Sequence, residues 1–330
     1  GGGASYFPPG TPIKFSFEIR DKGGSVLRTV EQDFIYNDIR FEWLSVNSDL
    51  ITVYYYGEYV EERAKIVLDA AEKAMERMVP VLGIAPTDQL RIVSYNNYRH
   101  MSTALPFRAQ AVRELLRTQG MAFTDERVLL VHGFDATVRG TVSHEFTHLL
   151  VAEAAGRAIL QVPAWLNEGL AEYVELFTAP DESAARQLLQ RRYIVRGAIL
   201  RGSVPSEAQL EAPNWIESVA SPDEFRLLYA VSFLIVQRIA DTAGDEGLRR
   251  LITAKTLGMP LKDLVDSEIA QWLLTQLPEE TAGVVLCGLN RVIGVHNWIT
   301  SDWNANTNKT VTDYMNFKTR IQQLQDTINS

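Results

Sequence analysis

The feature that most constrains how this chain folds is a pair of histidines four residues apart, in the segment TVSHEFTHLLVAEAAG at residues 141–156. Apolar residues recur at helical spacing between residues 137 and 155, which predicts a helix with one buried face. His144 and His148 then project from the same side of that helix, one turn apart, where two imidazoles can bind one Zn²⁺. The pattern His-Glu-x-x-His is typical of zinc sites, although an amphipathic helix can also hold two histidines by chance.

Glu145 lies next to the first histidine, turned by about 100° from His144 around the helix. It cannot easily join the same set of metal ligands. It can instead reach a water molecule held by the metal, which is where a general base is required. The motif therefore predicts two zinc ligands and a base.

A catalytic zinc ion needs a third protein ligand and an open fourth position. Glu153 is about 140° further round the same helix than His148, so it points away. The metzincin pattern is excluded, because its third histidine is replaced by Ala154 and its glycine by Val151. The remaining candidate is Glu168 in WLNEGLAEY, with nineteen residues between it and His148. A helix, a turn and a second helix would bring it back to the metal.

The segment HEFTH, followed by WLNEGLAEY with nineteen residues between His148 and Glu168, resembles the gluzincin metallopeptidases. Within them it is most similar to the aminopeptidase-N-like and peptidase MA-like catalytic domains. The resemblance spans residues 50–275 and implies that Glu168 is the third ligand of one Zn²⁺ per chain. It also implies an α+β, thermolysin-like fold, in which a small mixed or antiparallel sheet lies above a helical lobe and ends in an edge strand near 127–132. Two motifs in this order argue against a chance pair of histidines.

Two further acidic residues follow Glu168 on the same helical stripe, Glu172 four residues later and Glu175 seven residues later. Histidines that bind a metal usually donate their second ring N–H to a carboxylate, and both glutamates are candidates for that role. The alternative is a solvated acidic face. Tyr229 begins an apolar helix that resembles the tyrosine helix of the family, and the resemblance implies that it stabilises the oxyanion. The alternative for Tyr229 is an ordinary core or rim position.

The segment TQGMAFTDERVLLVHG stands where the family has an edge strand that holds extended substrate by main-chain hydrogen bonds. Aminopeptidases of this type have Gly-x-Met-Glu-Asn there, and the glutamate binds the free amine of the substrate. This chain has Gly120, Met121 and Ala122, without that glutamate. The difference favours an endopeptidase, or an exopeptidase of another kind, over an aminopeptidase.

The hydrophobic pattern divides the chain into three parts. Residues 1–48 alternate as strands in TPIKFSFEIR and SVLRTVEQDFIY, and are either the remnant of an upstream β domain or strands that pack on the main domain. Residues 49–276 form the predicted metallopeptidase domain, and residues 277–330 a C-terminal extension of helix and loop. Helices are predicted at 61–80, 106–120, 137–155, 163–177, 181–197, 221–241, 245–256 and 260–276, and short strands at 89–95 and 127–133.

Composition limits the partners. The formal net charge of −9 argues against nucleic acid, whose phosphates would be repelled. No apolar run approaches the roughly 18 residues that span a bilayer. The single cysteine, Cys287, excludes an internal disulfide. The chain starts without Met or a signal peptide, which suggests a piece of a longer protein. Its first strands resemble the lead-in of peptidase MA-like proteins from bacterial surfaces, which favours an extracytoplasmic location.

Three functions fit these observations. A zinc peptidase that cuts peptides or proteins is favoured by the presence of both the ligands and the base Glu145. A surface or binding module that keeps the fold without catalysis is the second hypothesis, and the strand-rich N-terminal part fits it. A zinc hydrolase of a non-peptide amide or ester is the third. The sequence makes no prediction of oligomeric state.

Overall fold

The computed structural model describes residues 6–256, apart from residues 59, 107–118, 202, 204, 206, 213–218 and 220. Almost all of the helix predicted at 106–120, the helix predicted at 260–276 and the extension at 277–330 lie outside the described residues. Within them the architecture is α+β, with strands concentrated in the first half and helices in the second, as predicted.

The N-terminal part contains four strands: β1 Thr11–Phe15, β2 Glu18–Arg20, β3 Val26–Arg28 and β4 Gln32–Tyr36. They form an antiparallel ribbon in two pieces, in which β1 pairs with β4 and β2 pairs with β3. Each of the two strands predicted here is therefore interrupted once. The pairing register shifts by one residue between the two pieces, as at a β-bulge, where an extra residue disrupts the ladder.

A mixed sheet follows, with five strands in the order β5-β6-β7-β9-β8. Their bounds are β5 Trp43–Asn47, β6 Ile51–Tyr56, β7 Leu90–Tyr95, β8 Gly120–Phe123 and β9 Val128–His132. The inner strands β6, β7 and β9 are mutually parallel, and the outer strands β5 and β8 are antiparallel to their neighbours. β5 precedes residue 48 but is hydrogen-bonded within this sheet. The division of the chain into 1–48, 49–276 and 277–330 stays a prediction.

At one edge of the sheet the outermost strand is β8, which contains Gly120, Met121 and Ala122, and not the strand predicted near 127–132. The prediction that residues 127–132 form the edge is wrong, because β9 lies between β7 and β8. A turn at residues 124–127, in which Arg127 has φ of 58°, reverses the chain so that β8 pairs antiparallel with β9 and covers it. The run VLLV in β9 fits an inner strand, because its side chains are buried on both faces of the sheet.

The helical lobe contains, among the described residues, α1 Glu61–Leu82, α2 Tyr98–Thr103, α3 Val138–Ala155, α4 Ala164–Thr178, α5 Asp181–Arg201, α6 Glu207–Leu210 and α7 Pro222–Thr256. The helices predicted at 61–80, 137–155, 163–177 and 181–197 are confirmed, with small shifts at their ends. The two helices predicted at 221–241 and 245–256 form one element, α7, which Gly244 interrupts with φ of 63° and ψ of −164°. Ser221 caps the start of α7, where the Glu224 N–H donates to Ser221 Oγ at 3.2 Å.

Helix α3 packs against both α1 and α4, and α4 packs against α7. Phe146 and Leu150 on α3 and Trp165 and Leu170 on α4 are all buried in the same core. These apolar faces fix α3 and α4 side by side, while their polar residues meet along the shared boundary. Packing of the two helices thus brings the two sequence motifs together.

Gly169 allows α4 to approach α7 closely. A Cβ atom at this position would lie 2.6 Å from the backbone oxygen of Ser232 and 2.7 Å from the Val236 side chain. The backbone oxygen cannot rotate away, so Gly169→Ala is expected to lower the free energy of unfolding by about 1–3 kcal/mol through overpacking. Thermal unfolding of the variant and the parent measures this loss.

Gly197→Ala on α5 is the matched control, because the nearest atom to its Cβ is the movable end of the Arg201 side chain. Alanine favours a helix interior over glycine by up to about 1 kcal/mol, so this variant is expected to be as stable as the parent or more stable. Equal stability of the two variants would contradict the importance of the close contact at Gly169.

Candidate metal centre

Three side chains predicted as ligands meet between α3 and α4. The Nε2 atom of His144 lies 3.3 Å from Glu168 Oε2, and the Nε2 atom of His148 lies 3.5 Å from the same oxygen. The two imidazole rings are roughly perpendicular, with centroids 5.0 Å apart. One ligand atom from each of the three residues lies within 4.8 Å of the others. The turn between α3 and α4 therefore brings Glu168 back to the two histidines, as the second motif predicts.

The arrangement fits a zinc ion. Two ligand atoms on a tetrahedral zinc with bonds of about 2.0–2.1 Å are about 3.3 Å apart, close to the separations found here. Glu168 is only 7% exposed, and its Oε2 is buried without a hydrogen-bond partner among the described residues. A buried carboxylate oxygen left in this state is costly unless something binds it. Two imidazoles and one carboxylate are donors that suit zinc better than calcium or magnesium.

The charges within this group depend on one another. Burial by itself would raise the pKa of the Glu168 carboxyl, but His148 and His144 hold that pKa well below its usual range. Burial would also lower the pKa of both imidazoles, yet Glu168 reverses this, so the pKa of His144 is well above its usual value and that of His148 is also raised. Glu168 is therefore ionised, which is the state in which a carboxylate binds a metal. Without a metal ion, the raised pKa of each imidazole favours its protonated form beside this carboxylate.

Each histidine has a polar partner at its other ring nitrogen. His148 Nδ1 is 3.0 Å from the side-chain oxygen of Asn167. His144 Nδ1 lies 3.5 Å from Glu172 Oε1 and 3.6 Å from Glu175 Oε2. These contacts direct the Nε2 atoms toward Glu168, as is usual around bound metals. The sequence interpretation overlooks Asn167, although it precedes Glu168 in the quoted motif.

The group formed by His144, Glu172 and Glu175 also has the composition of a metal site. It shares His144 with the first group but uses the opposite ring nitrogen. The role of Glu172 and Glu175 as partners of the His144 imidazole stays a prediction, and it requires no second ion.

Glu145 points away from this cluster toward the sheet edge. Its Oε2 accepts a hydrogen bond from the backbone N–H of Ala122 in β8, at 3.1 Å. Gly120 permits this approach, since a Cβ atom there would lie 3.0 Å from both Glu145 Cγ and Thr141 Cγ2. The structure thus places β8 directly against the acidic residue between the two histidines.

Tyr229 on α7 completes the surroundings of His144. Its ring lies nearly parallel to the His144 ring, at an interplanar angle of 11° and a centroid separation of 6.0 Å. Burial, and then the charge and hydrogen bond of Glu168, raises the pKa of the Tyr229 hydroxyl well above its usual value. The hydroxyl is therefore protonated and can donate a hydrogen bond.

Three other side chains that could bind a metal, those of Glu153, His132 and His100, lie elsewhere. Glu153 pairs with Arg127 at 2.6 Å and points away from the metal ligands, as its position on the helix predicts. His132 Nδ1 lies 2.9 Å from the side-chain oxygen of Gln119, and His100 Nδ1 lies 2.7 Å from the Tyr56 hydroxyl. None of these three residues belongs to the described metal-ligand groups.

An α+β domain with two adjacent helices that supply two histidines and a glutamate, and with a second glutamate between the histidines, has the architecture of a metal-dependent peptidase. Residues 70–270 match the Peptidase MA superfamily, and the chain belongs to that family. The matched range includes both motifs and Tyr229. The resemblance to peptidase MA-like gluzincins is thereby confirmed. The chain is thus a peptidase-like domain, and peptides or proteins are the substrates that its family implies.

Comparison with curated proteins finds no match to this chain. Among the helices of the described residues, none combines the length and apolar character needed to cross a bilayer. An extracytoplasmic location stays a prediction.

Proposed function

We propose that this chain is a zinc-dependent peptidase that hydrolyses peptide bonds inside polypeptides. The supporting observation is the buried Oε2 of Glu168, which has no hydrogen-bond partner among the described residues and lies 3.3 Å and 3.5 Å from the Nε2 atoms of His144 and His148. These three residues would hold the ion. A bound zinc ion would supply positive charge that activates water and polarises the substrate carbonyl.

Glu145 is the proposed general base. Its carboxylate takes a proton from water as the water oxygen bonds to the carbonyl carbon. It then delivers that proton to the amide nitrogen as the C–N bond breaks. The N–H of Ala122 donates to Oε2 of this carboxylate, so we assign Oε1 as the oxygen that accepts and delivers the proton.

Tyr229 is the proposed oxyanion donor. Its hydroxyl would donate a hydrogen bond to the carbonyl oxygen as negative charge develops there, and the raised pKa keeps the proton in place. Tyr229→Phe keeps the ring beside His144 and removes only the hydroxyl. We expect kcat to fall by about 10²–10³-fold. Steady-state kinetics measures this loss, and zinc affinity should remain at the level of the parent; an unchanged kcat would remove Tyr229 from the mechanism.

The edge strand β8 is the proposed binding site for extended substrate. The backbone N–H of Ala122 faces away from β9, toward Glu145, and Gly120 on the same side of the strand brings its backbone close to the site. Main-chain hydrogen bonds to a sheet edge accept many sequences. The four residues of β8, Gly120 to Phe123, include no carboxylate that could bind a free amine. This absence supports cleavage within chains over removal of N-terminal residues.

A digest of a mixed peptide pool tests the proposed function. The protein is incubated with the pool alone, with a zinc chelator, and with the chelator followed by added zinc, and the products are identified by mass spectrometry. We expect internal cleavage that the chelator abolishes and zinc restores. Products shortened only at their ends would overturn the endopeptidase assignment. Zinc binding without any cleavage would instead favour a binding module or a hydrolase of non-peptide substrates.

A further inference from the structure

A buried arginine lies behind the proposed zinc site, and no sequence motif includes it. Arg191 on α5 is 9% exposed. Its Nε and Nη2 atoms donate to Glu172 Oε2 at 2.8 Å and 2.5 Å. The other oxygen of that carboxylate, Oε1, is the atom 3.5 Å from His144 Nδ1. Glu172 therefore bridges the arginine and the histidine with separate oxygens.

The guanidinium group of Arg191 is itself held in place. Its Nη1 donates to the side-chain oxygen of Gln187 at 3.1 Å, and its central carbon lies 4.9 Å from the centre of the Phe233 ring. Charge-assisted hydrogen bonds from a planar, anchored guanidinium restrict both the position and the plane of a carboxylate. The contacts of Arg191 thus limit the rotamers that Glu172 can adopt.

Glu175 is the competing partner of His144 Nδ1, at 3.6 Å. Among the described residues, no lysine or arginine forms an ion pair with Glu175, whereas Glu172 has Arg191. Of the two carboxylates, Glu172 is therefore the one whose orientation is restrained by an arginine, on the side opposite His144. A carboxylate with a fixed orientation, 3.5 Å from His144 Nδ1, restrains the imidazole ring through its charge, and with the ring the Nε2 atom.

We infer that Arg191 is a positioning residue of the zinc site, acting through Glu172 to orient His144 toward the metal. The inference rests on the proposed zinc function. Arg191 is expected to affect zinc affinity. Loss of the arginine leaves the three ligands in the chain but removes the restraint on His144. Partners of this kind typically change metal affinity by about 10–100-fold.

The test measures zinc affinity by competition with a chromophoric chelator, for the parent and for Arg191→Met, Arg191→Lys, Glu172→Gln and the double variant Arg191→Met/Glu172→Gln. We expect Arg191→Met to weaken zinc binding by about 10–100-fold. Arg191→Lys should recover part of the loss, because it keeps the charge but not the planar pair of donors. The visible spectrum of bound Co²⁺ should change with zinc affinity, since it reports the geometry of the ligands.

The double variant decides whether Arg191 acts through Glu172. If it does, the double variant binds zinc within about twofold of Glu172→Gln alone. Losses that multiply would overturn the inference, as would parent affinity in Arg191→Met. Arg192→Met is the matched control, since Arg192 is the exposed neighbour on the same helix and its loss should not change zinc affinity.

Folding is checked by circular dichroism and thermal unfolding without metal. If Arg191→Met does not fold, Arg191→Lys decides, and parent affinity and an unchanged Co²⁺ spectrum in that variant overturn the inference. A parent chain that binds no zinc overturns both this inference and the proposed function. A parent that binds zinc and cleaves peptides, together with Arg191 variants of parent affinity, overturns this inference alone.

Discussion

Glu145→Gln is expected to lose most of its peptide hydrolysis while zinc remains bound. Glutamine has nearly the shape of glutamate, but its amide cannot accept the proton of the attacking water. A positioned general base typically contributes about 10²–10⁴-fold, so kcat should fall by that factor. Zinc affinity should stay near that of the parent, because Glu145 points toward Ala122 and away from the three ligands. Peptide cleavage rates and a chelator competition measure the two quantities on the same sample.

Glu153→Gln is the matched control for this variant. Glu153 lies on the same helix and pairs with Arg127 at 2.6 Å, away from the ligands. We expect it to keep parent turnover, apart from a small loss of stability. Unchanged turnover in Glu145→Gln, or loss of zinc from it, would exclude Glu145 as the base.

Glu168→Gln is expected to lose zinc and hydrolysis together. The substitution replaces the anionic ligand by a neutral one and leaves two imidazoles, which is fewer than catalytic zinc sites use. The loss of affinity should exceed the roughly 10–100-fold that an indirect partner contributes. Comparison with Glu145→Gln is informative, because one glutamate should control zinc binding and the other only turnover.

Thermal unfolding gives a second measure of the same effect. Zinc at 100 times its dissociation constant stabilises a folded chain by about 2.7 kcal/mol. For a domain of this size that corresponds to a rise in Tm of about 5–10 °C. The parent should show this rise, and Glu168→Gln at the same zinc concentration should not. An equal rise in both proteins would mean that zinc binds at another site.

Much of the candidate site is predictable because its residues lie on helices. The spacing of His144 and His148 fixes their relative direction once the segment is helical, and Glu145 follows from the same geometry. The third ligand is harder to predict, since nineteen residues separate it from His148. Glu168 is predictable only through a second recognisable motif. The family and the α+β fold follow from that pair of motifs, and both are confirmed.

Other parts of the site have no local signal. Arg191 is one of several arginines on α5, and nothing in its neighbours indicates that it turns toward Glu172. The contact between Glu145 and β8 is equally hidden, because it depends on how far Gly120 lets the strand approach α3. The wrong assignment of the edge strand has the same cause. A turn of four residues decides whether β8 or β9 is outermost, and strand pairing across such a turn is not encoded in the alternation of either strand.

The sequence by itself determined which residues share a helix face, and therefore the two histidines, the base and the acidic stripe of Glu168, Glu172 and Glu175. Helical periodicity is a local property, so these relations hold for any helix formed by these residues, whatever its tertiary contacts. The tertiary structure alone decided which faces meet: α4 against α3, α5 behind Glu172, α7 with Tyr229 over His144, and β8 beside Glu145. Those contacts depend on packing between elements distant in sequence, where a single glycine such as Gly169 sets the distance between helices.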